Sequence, residues 1–184
     1  MIALMTVLCL TLGGCGSQDR GQSKAKEIQS RYAQSDEIEI TADVTADYGD
    51  RVYDFSLQYI GGGSDGTVTV LSPENIAGLT ARLSAGGGRL EYDGAELSIG
   101  GLTTDGLSPM EALPTMVKQW KTGFIEAAED EKLNGSDTVA VTYTISGTEY
   151  LITWFDGDTM LPIRGELFFD GAMVVAADFE EVAL

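Results

Sequence analysis

The residues of this chain that could do chemistry are its carboxylates, because the sequence has 29 Asp and Glu residues and no histidine. The pairs Asp156–Asp158 and Glu180–Glu181 could serve a hydrolase as general acid and base. The turn at Asp156–Asp158 could also offer oxygen ligands to calcium, but the other ligands of an EF-hand loop are missing. Close acidic pairs are expected by chance in so acidic a chain. We therefore expect no catalytic residues and no metal site, and we predict that the protein is not an enzyme.

The composition excludes several other classes of function. Without histidine the chain lacks the commonest general base, the commonest transition-metal ligand and any Ser-His-Asp arrangement. Lys and Arg total 11, which gives a formal net charge of −18. A surface with this much negative charge repels the phosphates of nucleic acids and of anionic lipids. We therefore expect no nucleic-acid partner. It could help to recognise a basic protein, or it could simply be a solvated acidic surface.

The first fifteen residues carry a targeting signal. Residues 1–12 form an apolar run that is too short for a bilayer core of about 30 Å and has the length of a signal-peptide core. The next residues, Leu12-Gly13-Gly14-Cys15, resemble the bacterial lipobox, in which the cysteine thiol is lipidated and the preceding segment is removed. A buried strand followed by a glycine turn is the alternative, and no Lys or Arg precedes the apolar run.

The lipobox resemblance implies a signal peptide at residues 1–14 and a lipid on Cys15. Cys9 then leaves with the signal peptide, so no thiol remains for a disulfide or a nucleophile. We expect no cofactor apart from a covalent diacylglycerol and acyl anchor, with chains such as palmitate. The anchor predicts a lipoprotein on the extracytoplasmic face of the cell membrane.

The remaining chain is predicted to form a tether at residues 15–22 and one domain at residues 23–184. Gly16 to Gln22 is small and polar, as in flexible linkers. Ile28 and Tyr32 are four residues apart among helix-forming residues, which predicts a first helix over residues 23–34.

From Glu37 the apolar residues recur at every second position, which is typical of β-strands. Asp-Gly turns at Asp93 and Asp170 lie between apolar runs and favour antiparallel hairpins. One helix interrupts the strands, with Pro114 at its first position and Gly123 at its end. The acidic segment 126–137 after it is interpreted as a solvated loop or a helix extension.

Two strands near the end of the chain are apolar on both faces, namely "YLITWF" and "LFF". We therefore expect both of their faces to be covered, by a helix or loop or by a lined cavity or docking edge. A meander of strands with two covering helices predicts a strongly curved sheet, an open barrel or a sandwich.

Four segments of this chain resemble lipoproteins of clostridial type and, through them, the LolA/LolB lipoprotein-carrier superfamily. These segments are "LSPENIAGLTARL", "GRLEYDGAELSIGGL", "GLSPMEALP" and "TWFDGDTMLPIRGELFFDG". The resemblance implies a mainly β (α+β) fold with a strongly curved antiparallel sheet that forms an unclosed barrel. It also implies an N-terminal helix and one inserted helix that cover an apolar concave face. A related lipoprotein binds a partner enzyme with this fold, so the fold alone does not settle the function.

Apolar side chains are the strongest candidates for a binding site, although a plain core is the simpler interpretation. An open sheet lined by them would bind an acyl chain or an apolar segment of a protein, because apolar area removed from water contributes about 25 cal/mol per Å². Met116 and Trp120 would then act as a lid. The candidates for ligand or partner binding are Tyr53, Phe55, Tyr59, Met116, Trp120, Trp154 and Phe168.

We therefore predict a non-catalytic binding module that is anchored to the membrane. Binding or chaperoning of a protein partner ranks above lipid carriage, because an acylated anchor hinders shuttling between membranes. An anchored acceptor of lipids or lipoproteins, which binds acyl chains in the concave face, is the alternative. A carboxylate-dependent hydrolase ranks last.

Overall fold

The computed structural model describes residues 16–63, 65–84, 87–99 and 108–184. The predicted signal peptide at residues 1–14 and the predicted lipidation site Cys15 lie outside the described residues. Among the helices of the described ranges, none has the length and apolar character that a membrane span requires.

All the described strands belong to one antiparallel sheet of eleven strands in the order β6-β5-β4-β3-β2-β1-β11-β10-β9-β8-β7. The strands are β1 (Ile38–Asp47), β2 (Val52–Gly61), β3 (Gly66–Ser72), β4 (Thr80–Ser84), β5 (Gly87–Tyr92), β6 (Ala95–Ile99), β7 (Phe124–Leu133), β8 (Ser136–Thr144), β9 (Glu149–Asp156), β10 (Pro162–Phe169) and β11 (Ala172–Ala183). Helix α1 (Gly16–Gln34) precedes the sheet, helix α2 (Pro109–Thr122) is inserted before β7, and a short 3-10 helix spans Glu74–Ile76. Because β6 and β7 end the order of the described strands without pairing to each other, the barrel is unclosed, which confirms the predicted fold class.

The centre of the sheet shows the alternation that the sequence predicted. Along β1 every second side chain, from Ile38 to Ala46, is buried and faces the helices. Leu57 and Tyr59 of β2 lie opposite these residues and are buried on the same side. We call this side the inner face and the opposite side the outer face.

Three hairpins have two-residue turns in which both residues have positive φ. These turns are Asp93-Gly94, Asn134-Gly135 and Asp170-Gly171. This is the backbone of a type I′ turn, whose twist matches that of the flanking strands. The prediction of a solvated loop or a helix extension at residues 126–137 was wrong. This segment forms most of strand β7 and the start of β8, which the Asn134-Gly135 turn connects. Strand β7 was not predicted because it lies at the sheet edge, where exposed acidic residues replace the apolar alternation.

Both helices begin earlier than predicted. Helix α1 starts at Gly16, so residues 16–22 of the predicted tether form the first part of this helix. Within this part, the buried Gly21 lies against the backbone of β7. Helix α2 starts at Pro109, which occupies its first position. Pro114 lies inside the helix. Because proline has no N–H, the carbonyl of Met110, four residues earlier in the first turn, lacks its usual hydrogen-bond donor. Gly123 ends the helix as predicted, and its N–H donates to the carbonyl of Gln119.

Replacing Gly21 with Ala should destabilise the protein, although Ala is the better helix former by about 1 kcal/mol. The added Cβ would overlap the carbonyl oxygen of Ala128, and separating the two backbones should lower the free energy of unfolding by about 1–3 kcal/mol. Urea unfolding measures the change. The control is Gly147→Ala, whose Cβ meets nothing within 4 Å. A Gly21→Ala variant as stable as the wild type would refute the close packing of α1 on β7.

Candidate functional site

The interior beneath the helices is centred on Trp120 of α2. Its ring packs edge-on against the rings of Tyr32, Phe155 and Phe179, with centroid distances of 5.3, 5.8 and 5.4 Å. Its indole N–H donates to the hydroxyl of Thr153 at 2.9 Å, and both residues are fully buried. A buried indole N–H requires such a partner. Trp120 is therefore held in a packed core that joins both helices to β9 and β11.

Met116 and Tyr59 belong to the same core. A Cβ on Gly165 would lie 2.8 Å from the sulfur of Met116, so the absence of a side chain there lets α2 approach strand β10 closely. The hydroxyl of Tyr59 donates to the carbonyl of Gly63 at 3.1 Å and accepts from the N–H of Gly63 at 2.7 Å. Three of the seven predicted site residues, Tyr59, Met116 and Trp120, are thus fully buried.

Two buried tyrosines of this core are poor candidates for acid–base chemistry. Burial raises the pKa of Tyr143 and that of Tyr32 well above the ordinary value of 10, so both hydroxyls stay protonated near neutral pH. The hydroxyl of Tyr143 is the buried side-chain polar atom for which the described residues provide no hydrogen-bond partner.

Trp154 and Phe168 lie on the outer face, away from the other five predicted site residues. Phe168 stacks on Tyr150 at 4.5 Å, and the Trp154 indole N–H donates to Glu131 at 2.9 Å. The prediction that strands β9 and β10 are covered on both faces is therefore corrected. Their outer aromatic side chains are half-buried because they shield one another across neighbouring strands.

Tyr53 and Phe55 lie on the inner face of β2, at the end of the strand next to the β1–β2 turn. Their rings stack with centroids 6.4 Å apart, and the ring of Tyr48 lies 6.2 Å from that of Tyr53. The side chains of Tyr48 and Tyr53 are 44% and 39% exposed. We call Tyr48, Tyr53 and Phe55 the hairpin patch.

Acidic side chains lie close to the hairpin patch. Asp50 lies in the β1–β2 turn, Asp47 and Asp54 lie on the outer face of the same hairpin, and Arg51 is the cation among them. Asp47 accepts the N–H of Gly49 at 2.8 Å and thereby orders the turn. The patch therefore combines exposed aromatic surface with local negative charge.

A second apolar surface lies on the inner face of strands β4 to β6. We call its residues the wing patch: Leu83, Leu90, Tyr92 and Leu97. On the outer face of these strands, Arg82 pairs with Glu91 at 2.8 Å and Arg89 pairs with Glu96 at 3.1 Å. None of the four wing-patch residues was among the predicted site residues, although the alternation of charged and apolar residues in "ARL", "RLEY" and "ELS" is a sequence signal for such a surface.

The carboxylates considered for catalysis have structural surroundings. Asp156 accepts the backbone N–H of Thr159 at 2.7 Å, its hydroxyl at 2.9 Å and the N–H of Asp158 at 3.1 Å. These hydrogen bonds hold the pKa of Asp156 below its ordinary value and order the β9–β10 turn. Glu180 and Glu181 are exposed on β11, at an irregularity in its pairing with β1. Within the described ranges, no group of three or more His, Cys, Asp or Glu residues could hold a metal ion.

Comparisons with known proteins show a similarity of fold. No protein-family model matches the sequence, and no curated protein sequence matches it. An uncharacterised conserved protein from Thermus thermophilus superposes with a TM-score of 0.51 at 9% identity, over 88% of this chain and 86% of that one. A LolA superfamily protein from Nitrosomonas europaea has a TM-score of 0.45 at 11% identity, over 91% and 93%.

The lipoprotein LppX from Mycobacterium tuberculosis is also similar, with a TM-score of 0.39 at 9% identity, over 89% of this chain and 91% of that one. The match at a TM-score of 0.51 shows a likeness of fold alone, and the resemblance to the LolA/LolB superfamily rests on the sequence segments that carry it. The resemblance to clostridial lipoproteins stays a prediction.

Two substitutions in the core should have opposite effects on stability. Thr153→Val removes the acceptor of the Trp120 indole N–H and should lower the free energy of unfolding by about 1–3 kcal/mol. Tyr143→Phe removes a buried hydroxyl for which no partner is described, so the variant should be at least as stable as the wild type. Urea unfolding of both variants checks this. Equal destabilisation by both would mean that the Tyr143 hydroxyl is hydrogen-bonded.

Proposed function

We propose that this protein is an extracytoplasmic, membrane-anchored lipoprotein that acts as a non-catalytic binding module for a protein partner, in a chaperone or assembly role. The observation that carries the proposal is the hairpin patch, where Tyr48 and Tyr53 are exposed at the end of the inner face. Exposed apolar patches bordered by polar residues mark interaction sites. Tyrosine is also enriched in such interfaces, because its ring is apolar and its hydroxyl remains wet.

The acidic border of the hairpin patch defines the chemistry of the partner. Carboxylates at Asp47, Asp50 and Asp54 favour an apolar segment that also carries Lys or Arg. The net charge of −18 acts in the same direction, because it attracts basic proteins and repels acidic ones.

A protein segment is favoured over an acyl chain because the interior below α2 is filled. An acyl chain there would have to displace Trp120 from three aromatic rings and break its hydrogen bond to Thr153. The hairpin patch offers flat ring surface on strands, which suits side chains of a partner.

Binding of an acyl chain is the second candidate, and the wing patch favours it. Leu97 is 61% exposed on the inner face, opposite the half-buried Leu90. These residues offer apolar surface on the concave side, where the family resemblance implies that lipid lies.

The anchor is tested by the mass of the protein extracted from membranes with detergent. We expect a chain that begins at Cys15 and carries a diacylglycerol group, because the lipobox-like segment directs both cleavage and lipidation. A Cys15→Ser variant should keep residues 1–14 and gain no lipid. A wild-type chain with an unmodified Cys15 would contradict the proposed anchor.

The binding role is tested by photo-crosslinking in intact cells, with a photoreactive residue in place of Phe55, which lies on the inner face next to Tyr53. Specific protein adducts are expected. The double variant Tyr48→Ser, Tyr53→Ser should reduce their yield by about tenfold or more, because an interface that loses its aromatic anchors binds more weakly. The matched control is Phe124→Ser, which removes an aromatic residue that is 71% exposed outside the patch.

Native mass spectrometry of the purified protein separates the two candidate functions. A domain free of bound lipid is expected if the hairpin patch binds a protein. A stoichiometric phospholipid, together with adducts that do not respond to the two tyrosine substitutions, would favour the acyl-binding role instead.

A further inference from the structure

The two edges of the unclosed barrel are built differently. Strand β7 lies at one edge and α1 packs along it, with Gly21 against the carbonyl of Ala128. The strand also carries four acidic side chains within Glu126–Glu131 and a lysine at 132. A covering helix and charged side chains are the usual means by which proteins protect a sheet edge from pairing with another chain.

Strand β6 forms the other edge, and no helix within the described ranges packs along it. It has five residues, and its one charged side chain, Glu96, is already paired with Arg89 at 3.1 Å. Among the strands in the described ranges, β5 is the one that pairs with β6. The structure therefore assigns no strand to the far side of β6.

The register of the β5–β6 hairpin identifies which backbone groups point away from the sheet. The Asp93-Gly94 turn has positive φ at both residues, as in a type I′ turn, so Tyr92 and Ala95 form a hydrogen-bonded pair. Hydrogen-bonded and non-hydrogen-bonded pairs alternate along an antiparallel ladder. Leu97 therefore bonds to β5, whereas the N–H and C=O groups of Glu96 and Ser98 point outward.

The side chains of β6 define the two faces that an added strand would continue. Leu97 lies on the inner face opposite Leu90 and is 61% exposed. Glu96 and Ser98 lie on the polar outer face, level with the Arg89–Glu96 ion pair. An added strand would thus meet apolar surface on its inner side and polar surface on its outer side.

We infer that β6 is a docking edge to which an extended segment of a basic partner protein adds as a further strand. The outward groups of Glu96 and Ser98 would supply the main-chain hydrogen bonds, and the wing patch would take apolar side chains at alternate positions. A second copy of this chain is disfavoured as the occupant because each copy carries a net charge of −18. The same charge favours Lys and Arg at the intervening positions. This edge shares no residue with the hairpin patch, so the inference is independent of protein binding there, and it assigns to a protein segment the wing patch that the acyl-binding candidate also uses.

The test uses a short synthetic peptide in which valine alternates with lysine, titrated into the mature chain and followed by fluorescence anisotropy. Ser98→Pro removes the outward N–H and leaves the hydrogen bonds between β6 and β5 in place. It should weaken peptide binding by about tenfold or more. Ser98→Ala keeps the N–H and should bind within about twofold of the wild type. The same peptide with glutamate in place of lysine should bind more weakly. Circular dichroism and thermal unfolding verify that both variants fold.

Amide hydrogen exchange locates the contact. Exchange at Glu96 and Ser98 should be fast in the free protein and slow once the peptide is bound. The inference is overturned if the wild type does not bind the peptide, or if Ser98→Pro binds it as well as the wild type does. Slow exchange of the Ser98 amide in the free monomer would show that the chain covers its own edge. A dimer by sedimentation that Ser98→Pro dissociates would make a second copy the occupant.

Discussion

The indole of Trp120 joins parts of the chain that are distant in sequence, and the closed half of the barrel depends on its contacts. Tyr32 reaches the indole from α1, Phe155 and Thr153 reach it from β9, and Phe179 reaches it from β11. Aromatic pairs in edge-on geometry contribute beyond the area that they bury. The hydrogen bond to Thr153 makes the position specific, because only one placement of the ring satisfies its N–H. Glycine at position 165 supports the same packing by letting Met116 approach the sheet.

Closing one half of an open barrel leaves apolar surface in the other half. Eleven strands extend beyond what two helices cover, so inner-face residues at the β1–β2 hairpin and on β4 to β6 stay exposed. The described residues thus combine a packed interior beneath the helices with apolar surface that stays exposed. This combination is the physical basis of the proposed surface-binding role.

The acidic residues have two different roles in this arrangement. Some order the fold locally, as Asp156 does by accepting three hydrogen bonds in the β9–β10 turn, and others protect the β7 edge. The remainder give the surface its strong negative charge. A charge of this size opposes the approach of a second copy and would favour basic partners.

The sequence by itself determined the period-two strands, the Asp-Gly hairpins, the two helices and the end of α2 at Gly123, because these follow from local preferences of the backbone and of side chains. The same alternation placed Tyr53, Phe55 and Tyr59 on one face of a strand. The sequence missed strand β7, since an exposed edge strand needs no apolar alternation, and it placed the start of α1 too late, since the contact of Gly21 with β7 extends that helix. Only the tertiary structure assigned the seven candidate residues to a filled core, an exposed hairpin and the outer face. The reason is that alternation tells which residues share a face of a strand, whereas the curvature of the sheet and the position of the helices decide which face is covered.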